Sequence, residues 1–170
     1  IDGRHTSDIC RQIENIKMPF LRIGELGDPS EDWEHTFNIC KMIAPAGKPI
    51  VVVTKHWKTI PNKLLKKTRD LVFNTSISAL DSEEEIDHRL TQYERLKGYC
   101  KSVLRIVSCD FNTEMPEGIR RSMIQEKLLK HANVIDTIFR PSKTNPLVLM
   151  GIIKTRMARF LHASVLVSQY

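Results

Sequence analysis

The sequence predicts an α/β fold: a parallel β-sheet or a partial (β/α) barrel of about five β/α units, with a short C-terminal β extension. Three observations predict it. Five short apolar runs recur along the chain at Leu21–Glu25, Ile50–His56, Val72–Ser78, Val103–Ser108 and Ile135–Arg140, and each ends in polar residues. The segments between them carry apolar residues at helical period. The runs are rich in β-branched residues at near-continuous apolar positions, as expected for parallel strands covered on both faces by crossover helices. In such folds the groups that do chemistry gather where the strands leave the sheet at their carboxyl ends.

The elements follow in order. After the first run, Ser30-Glu-Asp-Trp33 opens a helix whose apolar positions Trp33, Phe37, Cys40 and Ala44 recur every three or four residues, and Pro45 with Gly47 ends it. The Ile50 run leads through Pro61, a suitable first helical residue, into a short basic helix over 62–70. Ser82-Glu-Glu-Glu85 reads as a capping box, followed by the stripe Ile86, Leu90, Tyr93, Leu96 and Cys100. A fourth helix over 116–131 is expected to bury Ile119, Met123 and Leu128 and to turn Arg120, Arg121, Lys127 and Lys130 outward. Leu147–Ile153 and Val165–Val167 supply the expected terminal β extension.

At 170 residues the chain reads as a single domain, and its 41% apolar and 27% charged content is that of a globular protein. No apolar run reaches the roughly 18 residues of a membrane span, and no signal peptide is visible at the start of the sequence. The chain is expected to be a piece of a longer one. Four well-separated cysteines, Cys10, Cys40, Cys100 and Cys109, lack zinc-like spacing and point to reduced thiols in the cytoplasm. The net charge of +6 is uneven: residues 1–50 hold 6 basic and 8 acidic side chains, residues 51–170 hold 20 and 12. That excess reads first as solvated helix faces and second as an attraction for nucleic acid or other phosphate-bearing partners.

Several strand ends carry candidate chemistry. Glu25 of Gly24-Glu25 accepts hydrogen bonds either from a ligand amine or from its own loop. Thr54-Lys55-His56-Trp57 gathers a base, a cation and a ring, although a lone strand-end histidine is more often structural. Asn74, Thr75, Ser76 and Ser78 lie in a strand expected to be buried, so a polar ligand or loop backbone must satisfy them. Arg105, flanked by Leu104 and Ile106, requires a carboxylate from a ligand or from the protein, with Glu25 and Asp110 as internal candidates. Arg140-Pro-Ser-Lys143 adds a polar cluster that binds an anion or faces solvent. No dinucleotide fingerprint, P-loop, H-E-x-x-H or hydrolase signature is present.

Gly24-Glu25, the run Asn74-Thr-Ser-Ile-Ser-Ala-Leu-Asp81 and Leu104-Arg105-Ile106, in that order on successive strands, resemble the radical S-adenosylmethionine enzymes over about residues 20–143. The resemblance implies a partial barrel in which Gly24 and Glu25 contact the amino group of S-adenosylmethionine. Ser76 and Ser78 would hold its ribose or carboxylate, and Arg105 would pair with the carboxylate. Thr54, Lys55, Asn74 and Arg140 would line the side of an unidentified substrate. In that family a [4Fe-4S] cluster cleaves S-adenosylmethionine to a 5′-deoxyadenosyl radical. The C-x-x-x-C-x-x-C loop that holds the cluster is absent from this sequence, so its ligands would have to lie outside the chain. The rival expectation is a non-catalytic module that binds nucleic acid or a protein partner.

Overall fold

The computed structural model of the protein describes residues 3–131 and 133–154. Helix α1 covers Gly3–Glu14 and strand β1 Leu21–Ile23. Then follow α2 (Trp33–Ile43), β2 (Ile50–Thr54), α3 (Asn62–Leu65), β3 (Leu71–Ile77), α4 (Glu83–Lys97), β4 (Lys101–Ser108), α5 (Pro116–Leu129), β5 (Val134–Ile138) and α6 (Pro146–Leu149). The strands form one all-parallel sheet in the order β1-β2-β3-β4-β5, with helices between them, as the apolar runs predict. A doubly wound sheet reverses direction at a switch point, whereas this sheet adds each strand beside the last, as a (β/α) barrel does. Among the described residues no helix is long and apolar enough to cross a membrane.

The chain divides into two compact units, the first comprising residues 3–75 and 91–102 and the second 76–90 and 103–154 of the described chain. In the first unit every residue of β2 is buried, which explains its unbroken apolar sequence. Its core joins Trp33, Phe37, Cys40 and Ile43 of α2 to Ile50 and Val52 of β2 and to Leu71 and Phe73 of β3. The expected start of α2 at Ser30 shifts because two acids compete to cap it. Asp28 caps a 3-10 turn at Pro29–Glu31, and Asp32 then accepts the His35 N–H at 2.9 Å to begin the α-helix. Gly47, at φ 70°, closes the turn after α2. The basic helix keeps α-form only over Asn62–Leu65 and tightens to a 3-10 turn at Lys66–Thr68.

In the second unit the capping box forms in both directions. The Glu85 N–H donates to the Ser82 hydroxyl at 3.2 Å, and the Ser82 N–H donates to the Glu85 carboxylate at 2.8 Å. Strand β4 pairs with β5 from Leu104 opposite Val134 to Ser108 opposite Ile138. Helix α5 departs from its expected orientation, since Ile119 and Met123 are exposed while Gly118 and Leu128 are buried. Polar anchors set its rotation. The Gln125 side chain accepts the Cys109 N–H at 2.7 Å and donates to the Cys109 carbonyl at 3.1 Å, and Arg121 donates to the Ala79 carbonyl at 2.5 Å. Gly118 lies so close to Asn112 that a Cβ would fall 1.9 Å from the Asn112 carbonyl oxygen. Arg121 therefore turns inward, contrary to the outward face expected for it.

The terminal β extension expected over 147–153 is replaced. Asn145 caps the single turn of α6 by accepting the Leu147 N–H, and the only pairing within that stretch is an isolated antiparallel bridge between Phe111 and Ile153. Ile152 and Ile153 still pack on Ala79, Cys109 and Phe111 in the core of the second unit. Val165–Val167 lies outside the described residues.

Candidate functional site

In the first unit the carboxyl ends of β1 and β2 are fastened together by a single carboxylate. Asp28 Oδ1 accepts the Ser30 N–H at 2.9 Å, the Ser30 hydroxyl at 2.6 Å and the Thr54 hydroxyl at 2.7 Å, while Oδ2 accepts the Lys55 N–H at 2.6 Å. Partial burial pushes the Asp28 carboxyl up, but the bonds from Ser30, Lys55 and Thr54 outweigh it and hold the pKa below 3.8. At the other end of the same loop Gly24 has φ 103°, and a Cβ there would lie 2.2 Å from the Val53 carbonyl oxygen. Only glycine fits this position. The stretch Glu25-Leu26-Gly27 is thus held at both ends against β2 and stands exposed between them. The Glu25 carboxylate projects there, with Arg22 Nη1 3.6 Å away.

The hydroxyl of Thr54 is committed within the protein, since it donates to Asp28 and accepts the His56 N–H at 2.9 Å. His56 is fully buried in the left-handed region at φ 51°. Its Nε2 shares a hydrogen bond with the Thr75 hydroxyl at 3.0 Å, and its ring lies 5.7 Å from that of Trp33 and 6.4 Å from that of Phe73. Such enclosure fits the structural role, with Thr75 satisfied by a side chain from the segment after the neighbouring strand. Lys55 gives its N–H to Asp28 and stands exposed, and Asn74 is buried in β3.

In the second unit the turn after β3 is organised around Ser78. Its hydroxyl donates to the Val107 carbonyl at 3.0 Å and accepts the Leu80 N–H at 3.2 Å, and its own N–H donates to Asp81 Oδ2 at 2.7 Å. Asp81 in turn takes a hydrogen bond from the guanidinium of Arg89, which is 3% exposed and also reaches Glu85 at 3.4 Å. Ser76 is buried in β3, Arg105 is half-buried on β4 opposite Ile135, and Arg140 is exposed just beyond β5. Further along the β4–β5 ladder, the Ser108 hydroxyl donates to Asp136 at 2.5 Å.

Of the residues expected at strand ends, Thr54 and Ser78 are bound into the fold, Asn74 and Ser76 are buried, Arg105 is half-buried, and Glu25, Lys55 and Arg140 present charged groups to solvent. Asp28, Asp81 and Arg89 were not singled out in the sequence as site residues, although they fix the loops that carry those residues. The i, i+4, i+8 spacing of Asp81, Glu85 and Arg89 was the visible signal for one of these networks.

The thiols do not fit an iron–sulfur cluster. Cys10, Cys40 and Cys109 are buried and Cys100 is half-buried, and none forms a disulfide. Burial pushes Cys40 up to about 11 and Cys109 up to about 12, and raises Cys100 as well, the reverse of what a thiolate ligand needs. Among the described residues no group of three His, Cys, Asp or Glu side chains is arranged to hold a metal ion. No protein-family model, curated protein or solved structure matches the chain.

Proposed function

We propose that the protein binds S-adenosylmethionine at the carboxyl ends of its strands. The observation that carries this reading is Glu25: an exposed carboxylate at the end of β1, on a loop fixed by Gly24 against Val53 and by Asp28 against Thr54 and Lys55. Because the loop backbone is anchored at both ends, little backbone freedom is lost when this carboxylate takes up a ligand ammonium. The sequential parallel sheet supports the reading, because it is the strand order of a (β/α) barrel.

The Glu25 carboxylate suits the ammonium group of the ligand, whereas the thiols do not suit a cluster. The reading therefore concerns binding at this strand end of the first unit, with Lys55 assigned to the substrate side. Four cysteines free of disulfides support a reducing, cytoplasmic setting. Calorimetric titration of S-adenosylmethionine into the wild-type protein and a Glu25→Gln variant tests the proposal.

A further inference from the structure

The connection from β2 to β3 carries Lys55, Lys58, Lys63, Lys66, Lys67 and Arg69, with no acidic residue from 55 to 69. The structure turns all six outward, because the apolar positions between them are anchored in the core. Ile60, Leu64, Leu65 and Thr68 are buried, which leaves the intervening cations in water. Two of the cations have local partners. Lys63 pairs with Glu34 at 2.6 Å, and Lys58 donates to the Glu31 carbonyl at 2.7 Å, a bond that leaves its charge unneutralised. The Glu34 carboxyl is held below its ordinary value first by the hydrogen bond from Lys63 and further by the charge of Lys67. Lys55, Lys66 and Arg69 add to this local positive charge.

The same connection carries one exposed ring. Trp57 is 56% exposed, and it is the sole large apolar side chain exposed between residues 55 and 69, whereas Trp33 is buried with its Nε1 donating to the Lys58 carbonyl at 2.8 Å. A solvated indole on the same connection as these cations matches the two needs of a single-stranded nucleic acid, a flat surface for an unstacked base and cations for the backbone. A duplex keeps its base faces stacked inside. A membrane surface would call for a broad apolar face, whereas both leucines of α3 point into the core.

We infer that residues 55–69 form a binding surface for single-stranded nucleic acid, with Trp57 stacking on a base and Lys55, Lys66, Lys67 and Arg69 contacting phosphates. This surface does not depend on S-adenosylmethionine binding, and its test uses an oligonucleotide alone. Fluorescence anisotropy of a labelled oligouridylate of about twelve nucleotides is read while salt is raised from about 50 to about 200 mM. The expected result is binding that weakens with salt at a slope of about −0.7 per neutralised phosphate. The double variant Lys66→Gln/Lys67→Gln should make that slope shallower by about 1.4, and Trp57→Ala should weaken binding about tenfold without altering it. Thermal unfolding of each variant, all at exposed positions, should match the wild type. An oligouridylate that fails to bind at low salt overturns the inference, as does an unchanged slope in the double lysine variant. Tighter binding of a duplex of equal length, or binding of anionic vesicles in place of the oligonucleotide, overturns it as well.

Discussion

The Thr54 hydroxyl lies 2.7 Å from Asp28 Oδ1 and donates to it, so a residue in the loop after β1 closes the end of β2 across 26 positions of sequence. The same carboxylate accepts the Lys55 N–H on its other oxygen. In Asp28→Asn one of the two oxygens becomes an amide NH2, which sets a donor against at least one N–H or O–H. The variant should lose about 2 kcal/mol of stability, the scale of a hydrogen bond to a charged acceptor, as read from urea unfolding. Because folding lowers the Asp28 pKa, its contribution is present above the unfolded value of about 4 and is lost as pH falls through the folded value. Wild-type stability should thus decline below about pH 4, and the decline should be smaller in Asp28→Asn.

Gly24 and Gly47 both have positive φ, but only Gly24 is crowded. A Cβ on Gly47 meets nothing within 4 Å, so Gly47→Ala should cost only the left-handed backbone penalty of about 1 kcal/mol. Gly24→Ala adds a collision with the Val53 carbonyl and should cost at least about 3 kcal/mol. Equal midpoints for the two variants in chemical unfolding would contradict the loop geometry assigned to Gly24.

The orientation of α5 makes a comparison of neighbouring positions informative. Gln125 satisfies both the N–H and the carbonyl of Cys109, so Gln125→Ala leaves two backbone groups without their partner and should cost about 2 kcal/mol. Met123 is exposed, and Met123→Ala should change stability by less than about 0.5 kcal/mol. The opposite ranking would restore the helix face expected from hydrophobic period.

The strands were legible in sequence because burial on both faces leaves a local mark, as in Ile50–Val53, and the capping box of Ser82 and Glu85 is complete within four residues. The rotation of α5 was not legible, because Gln125 and Arg121 are anchored to the backbone of Cys109 and Ala79, well away in sequence. Of Ile119, Met123 and Leu128, expected on one core face, only Leu128 is buried, because specific polar bonds to backbone outrank a period that three residues define. At the candidate site Gly24, Glu25 and Lys55 could be picked out from position at a strand end. Asp28 could be read only as a turn residue, since its partners Thr54 and Lys55 lie on the next strand. Whether Thr54 and Ser78 spend their hydroxyls inside the fold is likewise a property of tertiary contacts.

Burial of the thiols predicts their chemistry. With Cys40 near 11 and Cys109 near 12, iodoacetamide at about pH 8 should leave both unmodified in the folded protein and label both after denaturation. Peptide mapping by mass spectrometry gives the result residue by residue. Rapid native labelling at Cys109 would contradict its enclosure.

The central claim rests on the Glu25 carboxylate, and calorimetry with two ligands tests it most directly. S-adenosylmethionine carries the ammonium group, whereas methylthioadenosine lacks the whole amino-acid part. Wild-type protein should bind S-adenosylmethionine, and Glu25→Gln should weaken that binding by at least about tenfold, the loss of one charge-assisted hydrogen bond. Its affinity for methylthioadenosine should stay unchanged. No heat of binding with S-adenosylmethionine, or an equal loss for both ligands in the variant, would contradict the assignment of this strand end as its binding site.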